Sequence, residues 1–163
     1  MKRFAFIFTV LFVLIISFGC SKDLELNSTQ KKLVGTWYKE KASARPNELT
    51  RVQYDIREDS SFEILRIEKD VNTGEVLGYK FRRKGVYEVD GDKLTFSHFA
   101  TYDNVDSIAP YSSIEDLRLV EGDSIEYHVT CTFEEQDNKL IFTYPPCGPL
   151  ANCITSDTLT RAR

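Results

Sequence analysis

Four cysteines, two histidines and 25 acidic side chains are the groups in this 163-residue chain with chemistry to offer. Cys20 ends an uncharged apolar run, whereas Cys131, Cys147 and Cys153 lie far downstream. In an oxidising compartment the last three allow one disulfide, in any of three pairings, with one thiol left over. The stretch Cys147-Gly148-Pro149-Leu150-Ala151-Asn152-Cys153 closes a short loop, which favours Cys147–Cys153 and leaves Cys131 buried beside Val129 and Phe133. A loop that short contributes about 2–3 kcal/mol in the chain-entropy description. Zinc is the sharper alternative, but it needs Cys-x₂₋₄-Cys pairs or added histidines at matching spacing, so no metal site is expected. His98 and His128 are 30 residues apart and read as surface residues rather than a catalytic or haem-binding pair. Glu134 and Glu135, as neighbours on a strand, point to opposite faces, and Asp90 and Asp92 are explained by a turn. No Gly-x-Ser-x-Gly, P-loop or His-Glu-x-x-His occurs. The chain offers no catalytic residue and no cofactor site, and an enzyme is not expected.

Length and composition bound what must hold these groups in place. A chain of this size makes about one domain and can bury its own core. Eleven Phe and eight Tyr against one Met favour strands over helices. Removing residues 1–19 takes Lys2 and Arg3 from 21 basic against 25 acidic residues and moves the net charge from −4 to −6. Without a basic field, nucleic acid is not a partner.

Lys2 and Arg3 precede an uncharged run from Phe4 through Phe18, too short to cross roughly 30 Å of hydrocarbon as a helix, so residues 1–19 read as a signal peptide. Its end, Ser17-Phe18-Gly19-Cys20, resembles the lipobox of bacterial lipoproteins. That resemblance implies lipidation of Cys20 and a membrane partner reached through the lipid, with residues 20–29 as a tether. Two acyl chains suffice for stable anchoring. By similarity to Gram-negative sorting rules, Ser21 after the cysteine implies the outer membrane. The acidic Ser21-Lys22-Asp23-Leu24-Glu25 also resembles surface-export signals, so periplasmic and outward-facing placements both stand. An ordinary secretory signal cut nearby is the alternative.

Downstream, turn signals alternate with period-two strands. Ser28 or Thr29 could cap a helical turn through Leu33 that Gly35 ends. Strands are expected at about Thr36–Glu40, Val52–Ile56, Phe62–Lys69 and Glu75–Val89, the last bent at Gly78 and Gly85. Asp90-Gly91 between Tyr87-Glu88-Val89 and Leu94-Thr95-Phe96 is the clearest hairpin signal. Further strands are expected at Ile114–Val120, Ser124–Phe133, Lys139–Tyr144 and Thr158–Arg161. Loops are expected over 41–49 and 98–112, the second long enough to carry function.

Gly35-Thr36-Trp37 resembles the Gly-x-Trp signature that opens lipocalin-like barrels, and the Gly85–Thr95 spacing is similar to that of small bacterial lipocalin-like lipoproteins. The resemblance implies an all-β, eight-to-ten-stranded antiparallel lipocalin-like (calycin) barrel over residues 30–163 with a short N-terminal helical turn. It also implies that Arg161 stacks on Trp37 to close the barrel, a contact worth roughly 0.5–2 kcal/mol. Inward-facing candidates for a ligand pocket are Trp37, Tyr54, Phe62, Tyr79, Tyr87, Phe96, Val129 and Phe142. A barrel of about eight strands either fills with side chains or holds one small ligand. The expected function is therefore an envelope-anchored carrier of a small apolar molecule. The alternative is a filled barrel that meets an envelope protein through loops 41–49 and 98–112. Asp106-Ser107-Ile108, Asp123-Ser124-Ile125 and Asp157-Thr158-Leu159 resemble an Asp-Ser/Thr-aliphatic O-glycosylation motif of Gram-negative anaerobes, with Ser107 the leading acceptor.

Overall fold

Asn27 caps the first helix: its side chain accepts from the Gln30 amide at 2.8 Å, and the Gln30 side chain accepts from the Asn27 amide at 3.1 Å. This reciprocal pair is a capping box, and it starts helix α1 at Ser28–Leu33. Ser28 and Thr29 therefore belong to the helix rather than to the tether, because Asn27 can satisfy the free amide that either was expected to cap. The computed structural model describes residues 26–106, 108–120, 126–146 and 153–162, with His98 and Phe99 as backbone only. Residues 1–19, Cys20, Ser107 and Cys147, to which targeting, lipidation, glycosylation and half of a disulfide were assigned, lie outside them.

Among the described residues nine strands follow: β1 Gly35–Ala42, β2 Glu48–Ile56, β3 Ser61–Asp70, β4 Val76–Asp90, β5 Lys93–Asp103, β6 Arg118–Val120, β7 Tyr127–Glu134, β8 Lys139–Thr143 and β9 Ser156–Arg161. Every pairing is antiparallel, and β1 pairs with both β2 and β9. Eight strands thus close in up-and-down order, with β4 pairing β5 and β5 pairing β7. The fold is an all-β, eight-stranded antiparallel barrel of lipocalin-like form. β6 pairs the far end of β5, through Thr101↔Val120 and Asp103↔Arg118, and continues the line of β7. What reads in sequence as two strands, Ile114–Val120 and Ser124–Phe133, is thus one interrupted ladder against β5.

The strands reach further than their composition suggests. β1 runs to Ala42 and β2 starts at Glu48, so the loop expected over 41–49 shortens to 43–47. β5 continues through His98 to Asp103, and the loop expected over 98–112 begins only at Asn104. The cause is tertiary: Lys84↔Ala100, Arg83↔Thr101, Arg82↔Tyr102 and Phe81↔Asp103 pair β5 with the first half of β4, and a ladder outweighs turn-like residues. Register shifts occur at β4 between Lys84 and Val86, across Gly85, and on β3 between Arg66 and Ile67 and between Glu68 and Lys69. Such bulges bend long strands round a small barrel.

Inward-facing residues form one core: Leu33, Trp37, Leu94, Phe96, Leu140, Phe142 and Leu159 are fully buried, with Phe62 and Tyr87 beside them at 1% exposure. The α1 end is closed. Trp37 Nε1 donates to the Leu33 carbonyl at 2.7 Å, fixing α1 across the barrel. Arg161 lies over the Trp37 ring, its guanidinium carbon 4.3 Å from the centroid. Its Nε donates to Asp137 O at 3.2 Å and its Nη1 to Val34 O at 3.2 Å, while Nη2 donates to Lys32 O. A Cβ on Gly35, whose φ is +134°, would stand 3.2 Å from Arg161 Nη1, so glycine both tolerates the backbone and admits the guanidinium.

Candidate functional site

The opposite end, where β1 finishes and β2 begins, is open. Side chains alternate in and out along each strand, so Lys39 shares Trp37's face, Val52 shares Tyr54's, Tyr127 shares Val129's and Tyr144 shares Phe142's. Val52, Tyr54, Ile64, Phe81, Arg83, Tyr127 and Tyr144 line a cleft of about 260 Å³ there. Its floor is a pile of rings. Tyr54 meets Phe142 edge-on at 5.6 Å and Phe96 at 6.5 Å, while Phe96 meets Phe62 edge-on at 4.7 Å and stacks on Tyr127 at 4.9 Å.

The walls are polar as well as aromatic. Lys39 Nζ and Asp157 Oδ1 form an ion pair at 2.5 Å, and Tyr144 Oη donates to Asp157 Oδ2 at 3.0 Å. Burial, followed by the Asp157 carboxylate, pushes the Tyr54 phenol up to about 12. Burial is also the leading cause that raises Tyr127 and Tyr144 far above the ordinary phenol value. All three hydroxyls therefore keep their protons at neutral pH. Arg83 leans on the Phe81 ring, 5.0 Å from its centroid, and among the described residues no carboxylate lies within ion-pair distance of it.

One side of the mouth is roofed. Glu68 on β3 is fully buried, accepts from Thr50 Oγ1 at 2.9 Å on both carboxylate oxygens, and pairs with Lys80 Nζ at 3.0 Å. The chain after β5 turns back to bridge Ser112 to Tyr79 through two backbone hydrogen bonds of 2.8 and 3.0 Å. Tyr111 then lies so close over Gly78 that an added Cβ would come within 2.6 Å of its ring. From the β1–β2 loop, the Arg45 guanidinium carbon stands 5.7 Å from the Tyr111 centroid. Two loops thus meet over the β3–β4 rim.

Of the eight pocket candidates, only Tyr54 lines the cleft. Trp37, Phe62, Tyr87, Phe96, Val129 and Phe142 fill the core beneath it, because an eight-stranded barrel is narrow enough for large aromatics to meet across its axis. Tyr79 is a correction: it is half-buried at the rim, held to Ser112, and stands outside the core. The sequence reading missed Val52, Ile64, Phe81, Arg83, Tyr127 and Tyr144. Tyr127 and Tyr144 were findable, sharing parity with Val129 and Phe142, and Phe81 and Arg83 share parity with Tyr87; the register shift between Phe81 and Tyr79 is what sets Tyr79 outside the core.

The remaining groups stand apart from the cleft. Cys153 is disulfide-bonded, and Cys131 is a buried free thiol, pushed up to about 12 chiefly by burial. His128 is on the outer wall, its Nδ1 2.9 Å from Thr95 Oγ1 and its Nε2 3.6 Å from the Glu126 carboxylate. No group of three His, Cys, Asp or Glu side chains is placed to hold a metal among the described residues. Two larger hollows are present: one of about 710 Å³ between residues 104–106, 109, 111–112 and 115–118, and one of about 690 Å³ lined by β4, β5 and β7 and by residues 143–146, which shares Tyr144 with the cleft. The cleft itself presents tyrosine hydroxyls, a guanidinium and ring faces. Asp157 beside it is engaged by Lys39 and Tyr144. No protein-family model, curated protein or solved structure matches the chain.

Proposed function

We propose that this protein is a non-enzymatic binding protein, delivered to the cell envelope and anchored there by lipid on Cys20, whose barrel holds one small molecule at its open end. The cleft floored by Tyr54, Phe96 and Phe142 and walled by Tyr127, Tyr144 and Arg83 carries this reading. It has the features of a ligand site: apolar and aromatic walls with a few convergent polar groups. Its size restricts the cargo, since about 260 Å³ is near the small end of ligand cavities. The cargo has an apolar body, as the barrel resemblance implies, and a polar end to meet the hydroxyls. Native mass spectrometry of the protein purified gently from its own envelope fraction tests the reading. A stoichiometric small adduct released on denaturation is the expected result. A bare polypeptide, still bare after incubation with host extract, would overturn it. Anchoring has its own test: Cys20→Ser should release the protein from the membrane fraction and remove the acyl mass.

A second reading has its own observation. Val71, Val76, Leu77, Val105, Ile108, Leu119 and Val120 are exposed apolar residues at the rim, Ile108 at 92%. A filled barrel could meet an envelope protein through them. This reading is tested by Val105→Ser with Ile108→Ser, which leaves β5 intact. Loss of a captured partner with ligand binding intact would favour it.

A further inference from the structure

We infer that the molecule held in the cleft is a short aromatic carboxylate, gripped at its anionic end by Arg83. The inference deepens the proposed reading of the cleft and rests on it.

Charge accounting inside the mouth is the first argument. The inward-facing Lys39 is matched by Asp157 at 2.5 Å, and the rim's Lys80 by Glu68 at 3.0 Å. Arg83 alone among these cations lines the cleft with no carboxylate in reach among the described residues. Arg83 is exposed, so a neutral ligand can leave its guanidinium in water but gains nothing from it. A carboxylate would instead meet the planar fork with two parallel charge-assisted bonds. A ligand cation would face Arg83 directly, with the one nearby carboxylate already occupied by Lys39 and Tyr144.

Shape is the second. A cavity of about 150 Å³ holds benzene, so about 260 Å³ admits one substituted ring or a fused pair with a short acidic arm. Tyr54, Phe81, Tyr127 and Tyr144 supply ring faces and edges to a flat ligand, and aromatic pairs gain beyond the area they bury. A long acyl chain finds no such place. The Tyr54, Phe96 and Phe142 rings block the barrel axis, so most of its methylenes would stay in water.

Isothermal titration of the intact protein with phenylacetate, indole-3-acetate, 2-phenylethanol, 2-phenylethylamine and palmitate tests the inference. Phenylacetate should bind at least about tenfold more tightly than its isosteric alcohol, as expected when a charged hydrogen bond is added. Arg83→Gln should erase that difference and Arg83→Lys should restore part of it, because the charge returns without the fork. Near-UV circular dichroism checks that both variants fold, which is expected because Arg83 is exposed and makes no ion pair among the described residues. Equal affinity for acid and alcohol in the unaltered protein, or an unchanged acid preference in Arg83→Gln, would overturn the inference and leave the cleft as a site for neutral ligands. Tighter binding of palmitate than of either aryl acid would overturn the size argument. Heat from none of the probes would overturn the inference, while the adduct experiment on envelope-derived protein would decide separately whether the cleft holds anything.

Discussion

Replacing Arg161 with Met should unlatch the closed end of the barrel, and the geometry gives the size of the effect. The guanidinium stands 4.3 Å from the Trp37 centroid and donates to the Lys32, Val34 and Asp137 carbonyls. A partly exposed cation–π contact contributes about 0.5–1 kcal/mol, and each net hydrogen bond about 0.5–1.5 kcal/mol. Since these share one side chain and its carbonyl partners partly regain water, the sum is not additive, and a loss of about 2–4 kcal/mol is expected. The Asp137 carbonyl belongs to a run of three left-handed residues, Glu135, Gln136 and Asp137 at φ of 50°, 57° and 65°. Arg161 therefore also restrains a strained turn. Trp37 is the only tryptophan and is fully buried, so its fluorescence reports unfolding at the altered site. Urea titration should show the midpoint falling by about 1–2 M at an m-value near 2 kcal/mol/M. Arg161→Lys, with the charge but not the fork, should fall between. A loss below about 0.5 kcal/mol for Arg161→Met, the scatter of ordinary surface changes, would refute the latch.

Three further outcomes are expected. Tyr54, Tyr87 and Cys131 are each pushed up to about 12, with burial the first cause in every case; the native state holds these protons more tightly than the unfolded chain. Their stabilising contribution is thus complete below the unfolded values, about 8.5 for Cys and 10 for Tyr. It should drain away as pH rises towards about 12, and urea midpoints across pH 8–12, read with tyrosinate absorbance, check this. Phe96→Ala removes the ring that touches Tyr54, Phe62, Tyr127 and Phe142, and should cost about 3–5 kcal/mol by urea titration. Gln136→Gly relieves a left-handed residue whose steric cost is about 1–2 kcal/mol, offset by glycine's greater unfolded freedom. A net gain of about 0.5–1 kcal/mol should appear as a higher urea midpoint.

The closed half of the barrel was legible because local rules and tertiary contacts agree there. Gly35 and Trp37 mark the start of β1, and Arg161, paired with Trp37 in register, lies at the end of β9. Asp90-Gly91 turns β4 into β5, with Gly91 at φ +62°. The open half was less legible. Its loops shrank because β4 and β5 pair beyond the residues that look extended, and Tyr102 and Asp103 are ladder residues with loop-like neighbours. Inward parity identified the aromatics but not how many meet across the axis, so core and pocket could not be separated from the pattern. Arg83 was invisible for a different reason. A charge inside a strand reads as outward-facing, although the unbroken register of Val86 to Phe81 against β3 puts Arg83 on the inward face with Phe81 and Tyr87.

The direction of the barrel bears on what the cleft can hold. Helix α1 enters at the closed end, and the cleft opens at the other. If Cys20 carries lipid as proposed, residues 20–26 span at most about 25 Å even when fully extended, comparable to the length of a barrel strand. The closed end is then the one nearest the membrane, and the mouth faces the aqueous side. A bilayer lipid would have to leave the membrane and travel round the barrel to reach a cleft too shallow to bury its chain. A small organic acid, already dissolved on that side, meets Arg83 and the tyrosine hydroxyls directly. Cleft depth and a guanidinium with no carboxylate in reach among the described residues are independent observations, and together with the proposed anchor they favour a short, charged, water-soluble cargo over a long apolar one.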